Sequence, residues 1–286
     1  MSDTSVSRRV RHRGVDVPSF LYGTAWKEDR TEALVKLALE SGFLGIDTAN
    51  QRKHYFEAGV GQAVRQALAA GTIDRAGLFL QTKFTFLGGQ DHRLPYDPQA
   101  DYPTQVRQSF ASSLEHLGTD YLDSYVLHGP SSGYGLNAAD LEVWRTMEEL
   151  QQAGQTRLLG VSNVSYDQLQ ALLEQASVKP AFVQNRCYAR SQWDARVREL
   201  CRAHDVRYQG FSLLTANARE LNQPRVHAIA QRLNVPLTRV VFRFALQLGM
   251  LPLTGTSDRD HMLSDLAAYD LELSPADMAT LEAIGV

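Results

Sequence analysis

The chain has 286 residues, of which 44% are hydrophobic and 21% charged, and its formal net charge is −3. This composition supports a sizeable buried core and excludes disordered and fibrous classes. The charge balance offers no basic patch for nucleic acid and no polybasic anchor for a membrane surface, so we expect neither as a partner.

The polar N-terminal stretch MSDTSVSRRVRHRG is not followed by an apolar segment, and no run approaches the ~18 apolar residues of a membrane span. We therefore expect no signal peptide and no transmembrane helix. Cys187 and Cys201 are too few for a disulfide framework and are not spaced as a zinc pair. Together these features indicate a soluble, cytoplasmic protein.

Short apolar runs alternate with amphipathic helical patterns along the chain. Before the first run, Val10–Val17 predicts a small hairpin that closes the bottom of a sheet. Eight runs predict strands: Ser19–Tyr22, Phe43–Ile46, Leu78–Lys83, Leu122–Leu127, Arg157–Val161, Ala181–Gln184, Arg207–Phe211 and Met250–Leu253. Parallel strands need crossover helices and eight of them close a sheet, so we predict an α/β fold, a single (β/α)8 TIM barrel over residues 1–286.

A doubly wound open sheet is the alternative fold. Such a sheet normally carries a Gly-x-Gly-x-x-Gly turn after its first strand, where this chain has GTAW at residues 23–26. Helix signals fit the barrel: Ser165 and Ser274 stand at predicted helix starts, and Pro224–Leu233 and Pro236–Leu248 predict two helices before the last strand.

Polar side chains stand where the predicted strands end, which is where barrel enzymes carry their chemistry. From the second to the seventh strand these are Asp47, Lys83, His128, Ser162, Asn163, Gln184 and Ser212. Each alone is compatible with a solvated or structural residue, and their convergence on one rim favours an active site. The long loops Phe84–Pro103 and Gly129–Asn137 lie on the same face, and loops of this length are usually functional.

In this order, these residues resemble the aldo-keto reductase family. The motif GIDTA at residues 45–49, continued by Gly59–Gly61, is similar to the family's second strand and the helix after it. QTK at 81–83 and VLH at 126–128 resemble the strands that carry its lysine and its histidine. GVSN at 160–163 looks like its carboxamide-binding motif, and FSLL at 211–214 like the segment beneath the nicotinamide. The resemblance covers nearly the whole chain.

The resemblance implies hydride transfer between NADPH, with NADH as the alternative, and a small carbonyl compound. Asp47, Tyr55, Lys83 and His128 would form the catalytic tetrad. A phenol, with a pKa of about 10, is a reluctant proton donor near neutrality. An ammonium at Lys83, kept charged by Asp47, would lower the pKa of Tyr55, and His128 would orient the carbonyl.

The implied cofactor-binding residues are Gly23, Thr24, Asp47, Ser162, Asn163, Gln184, Phe211, Ser212, Leu214, Gly255, Thr256, Ser257, Arg259 and Asp265. Trp26, His92 and Tyr96 are candidate substrate contacts; the alternative for the last two is that they pin their loop to itself. The sequence ends soon after its last predicted helix, so the resemblance also implies that the long C-terminal substrate loop of some members is missing. No metal is implied, and oligomeric state is not indicated.

Two features depart from the family's pattern. Tyr55 lies eight residues after Asp47 instead of five, which indicates an insertion such as Gln51–Lys53 and leaves His54 as an alternative proton donor. At the cofactor tail, members that strongly prefer NADPH carry a lysine and an arginine where this chain has Gly255 and His261. Arg259 and the helix N-terminus after Ser257 are the replacements, so we expect only a moderate preference for NADPH.

Two other functions stay open at this point. A cofactor-binding regulatory subunit of the same fold, with little turnover, is favoured by the altered tyrosine loop. A metal-dependent barrel hydrolase needs several histidines and carboxylates at strand ends. Among the eight histidines only His128 sits at such an end, and no His-x-His follows the first strand.

Overall fold

The computed structural model describes residues 6–285. Residues 1–5, which belong to the polar N-terminal stretch, and residue 286 lie outside it, and the single domain over 1–286 stays a prediction. The strands are β1 Arg9–His12, β2 Val15–Pro18, β3 Leu21–Gly23, β4 Gly45–Asp47, β5 Phe79–Phe84, β6 Leu122–Leu127, β7 Thr156–Ser162, β8 Phe182–Arg186, β9 Arg207–Phe211 and β10 Leu251–Thr254. The α-helices are α1 Thr31–Ser41, α2 Glu57–Ala69, α3 Tyr102–Leu117, α4 Ala138–Gln152, α5 Tyr166–Gln175, α6 Ala195–Ala203, α7 Ala218–Leu221, α8 Pro224–Leu233, α9 Leu237–Gln247, α10 Arg259–Leu266 and α11 Pro275–Glu282.

The strands from β3 to β10 form a closed parallel barrel in the order β10-β3-β4-β5-β6-β7-β8-β9. This confirms the predicted (β/α)8 barrel and removes the open sheet as an alternative. In the register of this barrel Asp47 pairs with Gln81, and Lys83 pairs with Val126 on the other side of β5. Because parallel strands end at the same edge, the polar residues at their carboxyl ends share one face of the barrel.

Some strands begin later than predicted because backbone N–H groups at their predicted starts hydrogen-bond to a neighbouring element. β6 and β9 match their predicted ranges, whereas β3 begins two residues later than predicted, at Leu21. The reason is Ser19, whose N–H donates to the carbonyl of Arg8 in the segment before it (3.0 Å). Likewise β4 begins at Gly45 because the N–H of Phe43 donates to Ala38 and completes the end of α1 (3.0 Å).

The predicted hairpin is confirmed, and it closes the amino-terminal end of the barrel. β1 and β2 pair antiparallel, with Val10 opposite Val17. Val17 is fully buried in a cluster at the barrel floor that includes Leu21, Phe79, Leu158, Phe182, Leu251 and Leu253. His12 Nε2 lies 3.0 Å from the carbonyl oxygen of Ala181, which ties the hairpin to the residue that precedes β8.

Cap chemistry fixes the helix starts as predicted. Ser165 and Gln168 form a reciprocal capping box at α5, and Ser274 and Asp277 form one at α11, which begins with Pro275. Within residues 6–285, no helix combines the length and the apolar character needed to cross a bilayer. Cytoplasmic location stays a prediction.

Candidate active site

A groove of about 410 Å³ opens at the carboxyl ends of the barrel strands. One end is lined by Asp47, Tyr55 and His128. The other end is lined by Thr256 and Asp265. Between and around them the groove is lined by Gly23, Ala25, Trp26, Lys27, Ser162, Asn163, Gln184, Phe211, Ser212, Leu213, Leu214, Thr215, Thr238, Phe242, Leu253, Thr254, Gly255 and His261. Most of the strand-end residues predicted from the sequence therefore meet in one cavity.

A fully buried ion pair lies beneath the first end of the groove. Lys83 is 0% exposed, and its Nζ donates to Asp47 Oδ1 (2.7 Å), to Asp47 Oδ2 (2.8 Å) and to the carbonyl of Thr48 (2.7 Å). These bonds use all three N–H groups of the ammonium. Burial lowers the pKa of Lys83, and the Asp47 carboxylate acts in the opposite direction.

Further donors hold the Asp47 carboxylate in place. Gln81 Nε2 and Gln184 Nε2 donate to its Oδ1 (2.7 and 3.0 Å). Both amides also donate to Gln209 Oε1 (2.8 Å each), which joins β5, β8 and β9 beneath the site. The backbone of Asp47 is fixed as well, because its carbonyl accepts from Thr24 Oγ1 (3.0 Å). Charge-assisted bonds of this kind stabilise the ionised carboxylate.

The loop between β4 and α2 folds so that the Tyr55 ring lies near the ion pair. Its N–H donates to the carbonyl of Gln51 (2.9 Å), and the resulting turn places its ring 5.8 Å from the His128 ring and 5.3 Å from Lys83 Nζ. Burial raises the pKa of Tyr55, and the Asp47 charge raises it further. The pKa of Tyr55 thus moves in the direction opposite to the one expected from the sequence, because burial and the Asp47 charge dominate.

His128 is neutral in this site. Burial lowers its pKa to about 3, and the positive charges of Lys83 and of protonated His54 act in the same direction. Its Nδ1 lies 2.7 Å from Thr85 Oγ1, the first side chain after β5. A neutral imidazole acts as an orienting group and not as an acid.

The alternative donor, His54, is not among the residues that line the groove. Its ring stacks on Trp26 with the centroids 4.0 Å apart, and its Nδ1 lies 2.9 Å from Gln51 Oε1. Burial lowers the pKa of His54. Its partner Trp26 is 66% exposed and does line the groove.

The middle of the groove has groups that suit a nicotinamide amide and ring. Asn163 Nδ2 donates to the carbonyl of His128 (2.8 Å), and Ser162 Oγ donates to that of Gln184 (2.6 Å). In the part of the chain that the structure describes, no donor reaches Asn163 Oδ1 or Gln184 Oε1, so both oxygens are available to amide N–H groups. Phe211 adds a flat apolar surface on the same wall.

The far end of the groove lies between β10 and α10. Lys27 Nζ donates to the carbonyl of Gly255, and Tyr22 donates to that of Thr256 (2.9 Å). Asp258 is the N-cap of α10, and its side chain accepts from the N–H of His261 (2.9 Å). The start of α10 offers backbone N–H groups at this end, and Lys27 adds an ammonium, whereas Asp258, Asp260 and Asp265 add negative charge.

Three predicted tail residues differ in their placement. Asp265 lines the groove, and its Oδ2 accepts from Thr254 Oγ1 (2.8 Å); burial raises the pKa of Asp265 to about 6. Ser257 and Arg259 flank the N-cap of α10 but are not among the residues that line the groove. Their cofactor contacts stay predictions.

The long loop after β5 is held to itself and to the strand. Tyr96 is buried and donates to the carbonyl of Thr85 (2.8 Å), and Asp91 pairs with Arg93. His92 is exposed, and neither it nor Tyr96 lines the groove. The contacts agree with the alternative of a self-pinned loop, and substrate contact by these two side chains stays a prediction.

Sequence reasoning missed several residues of the site, among them Gln81, Gln209, Thr85 and Lys27. Gln81 precedes Lys83 by two positions in the same strand, so both point to the same side. A glutamine at an inward position of a buried strand was therefore a usable signal. Thr85 and Lys27 carried none, because their importance comes only from partners far along the chain.

A metal-dependent site finds no support in the described residues. Within 6–285, no three His, Cys, Asp or Glu side chains are grouped as ligands. Cys187 and Cys201 are buried free thiols.

Comparison with known proteins gives a consistent set of relatives. The family model described as "Aldo/keto reductase family" matches residues 21–286. An aldo-keto reductase of Mycolicibacterium paratuberculosis is 32% identical over 257 residues, which cover 90% of this chain and 82% of that protein. Glyoxal reductase of Bacillus subtilis is 29% identical over 284 residues, which cover 98% and 94%. A crystal structure of an aldo-keto reductase complexed with NADPH has a TM-score of 0.82 at 25% identity and covers 96% of this chain and 87% of that one.

Proposed function

The chain belongs to the aldo/keto reductase family, and on that premise we propose that it reduces a small aldehyde or ketone to the alcohol, with NADPH as hydride source and Tyr55 as proton donor. The observation that carries the proposal is the meeting of Asp47, Lys83, Tyr55 and His128 at one end of the groove. NADH is the alternative cofactor.

The groove residues fit a nicotinamide dinucleotide. When bound, the reduced cofactor supplies the hydride. Asn163 and Gln184 would hold its carboxamide through their available oxygens, and Phe211 would support the ring. Lys27 and the start of α10 would meet its phosphates, since cations and helix N-termini bind such groups.

Tyr55 keeps a proton ready for the substrate. Negative charge grows on the carbonyl oxygen as its carbon is reduced, and this charge must be met by a proton. The raised pKa of Tyr55 keeps the phenol protonated at every working pH. An alkoxide is a stronger base than a phenolate, so the proton passes to it without a lowered pKa in the resting enzyme.

The ion pair then stabilises the Tyr55 phenolate that proton transfer leaves behind. Lys83 Nζ lies 5.3 Å from the ring centroid of Tyr55, so its charge favours the phenolate until solvent returns a proton. Asp47 holds the ammonium in place. His128, which stays neutral, orients the substrate oxygen.

The test is the variant Tyr55→Phe, with Tyr134→Phe as its control because Tyr134 is 93% exposed. NADPH oxidation is followed with aromatic aldehydes, a dicarbonyl and simple ketones. We expect the wild type to turn over at least one class. In Tyr55→Phe the rate falls roughly 10²- to 10⁴-fold, while the Kd for NADPH, from fluorescence titration, is unchanged.

Near-normal turnover by Tyr55→Phe contradicts the role of Tyr55 as proton donor. If His54→Gln loses turnover instead, the proton donor is His54. A wild-type protein that binds NADPH but reduces none of the carbonyl compounds would contradict the reductase and support the regulatory subunit.

A further inference from the structure

Thr85 lies outside the tetrad and contacts the tetrad residue His128 through a hydrogen bond. Thr85 is buried at the end of β5, and its Oγ1 lies 2.7 Å from His128 Nδ1. Among residues 6–285 this nitrogen is the hydroxyl's one hydrogen-bond partner. The other ring nitrogen, Nε2, has no protein partner in the same range, and His128 lines the groove.

The loop after β5 fixes the backbone of Thr85. Its carbonyl accepts from Tyr96 Oη (2.8 Å) and from Gln90 Nε2 (3.3 Å). Gln90 Nε2 also donates to the carbonyl of Asn50, in the loop that carries Tyr55 (2.9 Å). These bonds hold the Thr85 side chain against the imidazole.

The geometry selects one of the two neutral tautomers of His128. If Nδ1 carried the proton, it would donate to Thr85 Oγ1 and the hydroxyl hydrogen would remain buried without an acceptor, which is costly. If Nε2 carries it, the hydroxyl donates to Nδ1, so both groups of this contact are satisfied and the Nε2–H is left for a ligand in the groove. The second tautomer is favoured by roughly tenfold or more.

We propose that Thr85 is a positioning residue that locks His128 in the Nε2–H tautomer, so that the imidazole presents a hydrogen-bond donor to the carbonyl oxygen of the substrate. The inference rests on the proposed function, since it takes the groove as the carbonyl site. It deepens that function by assigning His128 as a donor only, which leaves the transferred proton to Tyr55.

The first test reads the tautomer directly and needs no substrate. Protein labelled with ¹⁵N-histidine is examined by long-range ¹H–¹⁵N correlation, and His128 is identified by the signals that disappear in His128→Gln. We expect a protonated Nε2 and an unprotonated Nδ1 across neutral pH. In Thr85→Val the preference weakens, and in Thr85→Ser, which keeps the hydroxyl, it returns.

The second test is kinetic and uses the same variants. We expect Thr85→Val to lower kcat/KM for the carbonyl substrate roughly tenfold, with an unchanged Kd for NADPH, and Thr85→Ser to recover most of it. Thr146→Val is the matched control, because Thr146 is also buried and, among residues 6–285, its hydroxyl bonds one group, a backbone carbonyl of its own helix (3.0 Å).

A wild-type spectrum with the proton on Nδ1 overturns the inference even if the enzyme is fully active. It is also overturned if Thr85→Val keeps the wild-type tautomer and kcat/KM, or if Thr85→Ser behaves like Thr85→Val. A wild-type protein with the expected tautomer and no turnover would instead contradict the proposed function. The wild-type spectrum decides the tautomer if Thr85→Val fails to fold.

Discussion

At Asp47, one carboxylate gathers donors from β5 and β8 in the barrel interior. Lys83 and Gln81 reach it from β5, and Gln184 from β8. Removing a charge pair from water is expensive, and such a pair often gives no more stability than apolar side chains of similar size. The pair is therefore better explained by the charge it supplies to the site than by the stability of the barrel.

Asp265 provides a prediction at the residue scale, because its burial opposes its charge. The pKa of this carboxyl rises from 3.8 to about 6 in the fold. Between these values the folded state binds more protons than the unfolded state, so stability falls as pH rises through this window and stays lower above it. Asp265→Asn removes the charge and keeps an oxygen that can accept from Thr254.

We therefore expect Asp265→Asn to raise the free energy of unfolding of the cofactor-free protein by about 1–3 kcal/mol at pH 7.5. The gain should shrink toward zero near pH 4, where the wild-type carboxyl is protonated in the fold. Urea unfolding of the wild type and of Asp265→Asn at both pH values measures this gain in the free energy of unfolding. An equal change in stability at the two pH values, or a loss of stability at pH 7.5, would show that the charge of Asp265 does not destabilise the folded state.

At the element scale, the loop between β4 and α2 determines where Tyr55 lies. The insertion predicted in this loop stays a prediction, and three extra residues would cost little closure entropy in a surface loop. Here the loop forms a turn in which the N–H groups of His54 and Tyr55 both bond the carbonyl of Gln51. The turn returns Tyr55 to the rim, so the changed spacing in sequence does not remove the phenol from the groove.

The start of α10 determines the expected cofactor preference. Lys27, Arg259 and the helix N-terminus favour a 2′-phosphate, while Asp258 and Asp260 oppose it. One net charge-assisted contact predicts that NADPH binds roughly five- to thirtyfold more tightly than NADH. The preference should weaken in high salt, since exposed charges are screened.

Fluorescence titration with both cofactors measures this ratio. Arg259→Ala should move it toward one by weakening NADPH and leaving NADH unchanged. Arg11→Ala is the control, because Arg11 lies on the hairpin at the opposite end of the barrel and pairs with Asp16. Equal affinities in the wild type would defeat the hypothesis.

How much of the fold and of the site the sequence predicts depends on how far apart in the chain the interacting residues lie. The eight barrel strands follow from short apolar runs, because a buried strand must be apolar along its own length. The residues at strand ends follow from the same runs. Gln209 does not, because it gains its role from Gln81, 128 positions away. Thr85 likewise depends on His128, and local pattern carries no information on which side chains face each other across a barrel.

At the scale of the whole molecule, the two ends of the barrel have separate tasks. The hairpin and the apolar cluster around Val17 close the amino-terminal end, whereas the groove and its charged residues lie at the carboxyl-terminal end. In barrels of this kind the first end mainly determines stability and the second chemistry.

Val17→Ala tests this separation, because Val17 is fully buried in the floor cluster and does not line the groove. Loss of two methyl groups from a packed core should lower the free energy of unfolding by about 1–3 kcal/mol, while kcat/KM at low temperature stays at the wild-type value. Tyr55→Phe is the converse control, with turnover lost and stability kept. If kcat/KM falls in Val17→Ala together with stability, packing at the amino-terminal end of the barrel affects activity at its carboxyl-terminal end, and the two ends are not separate.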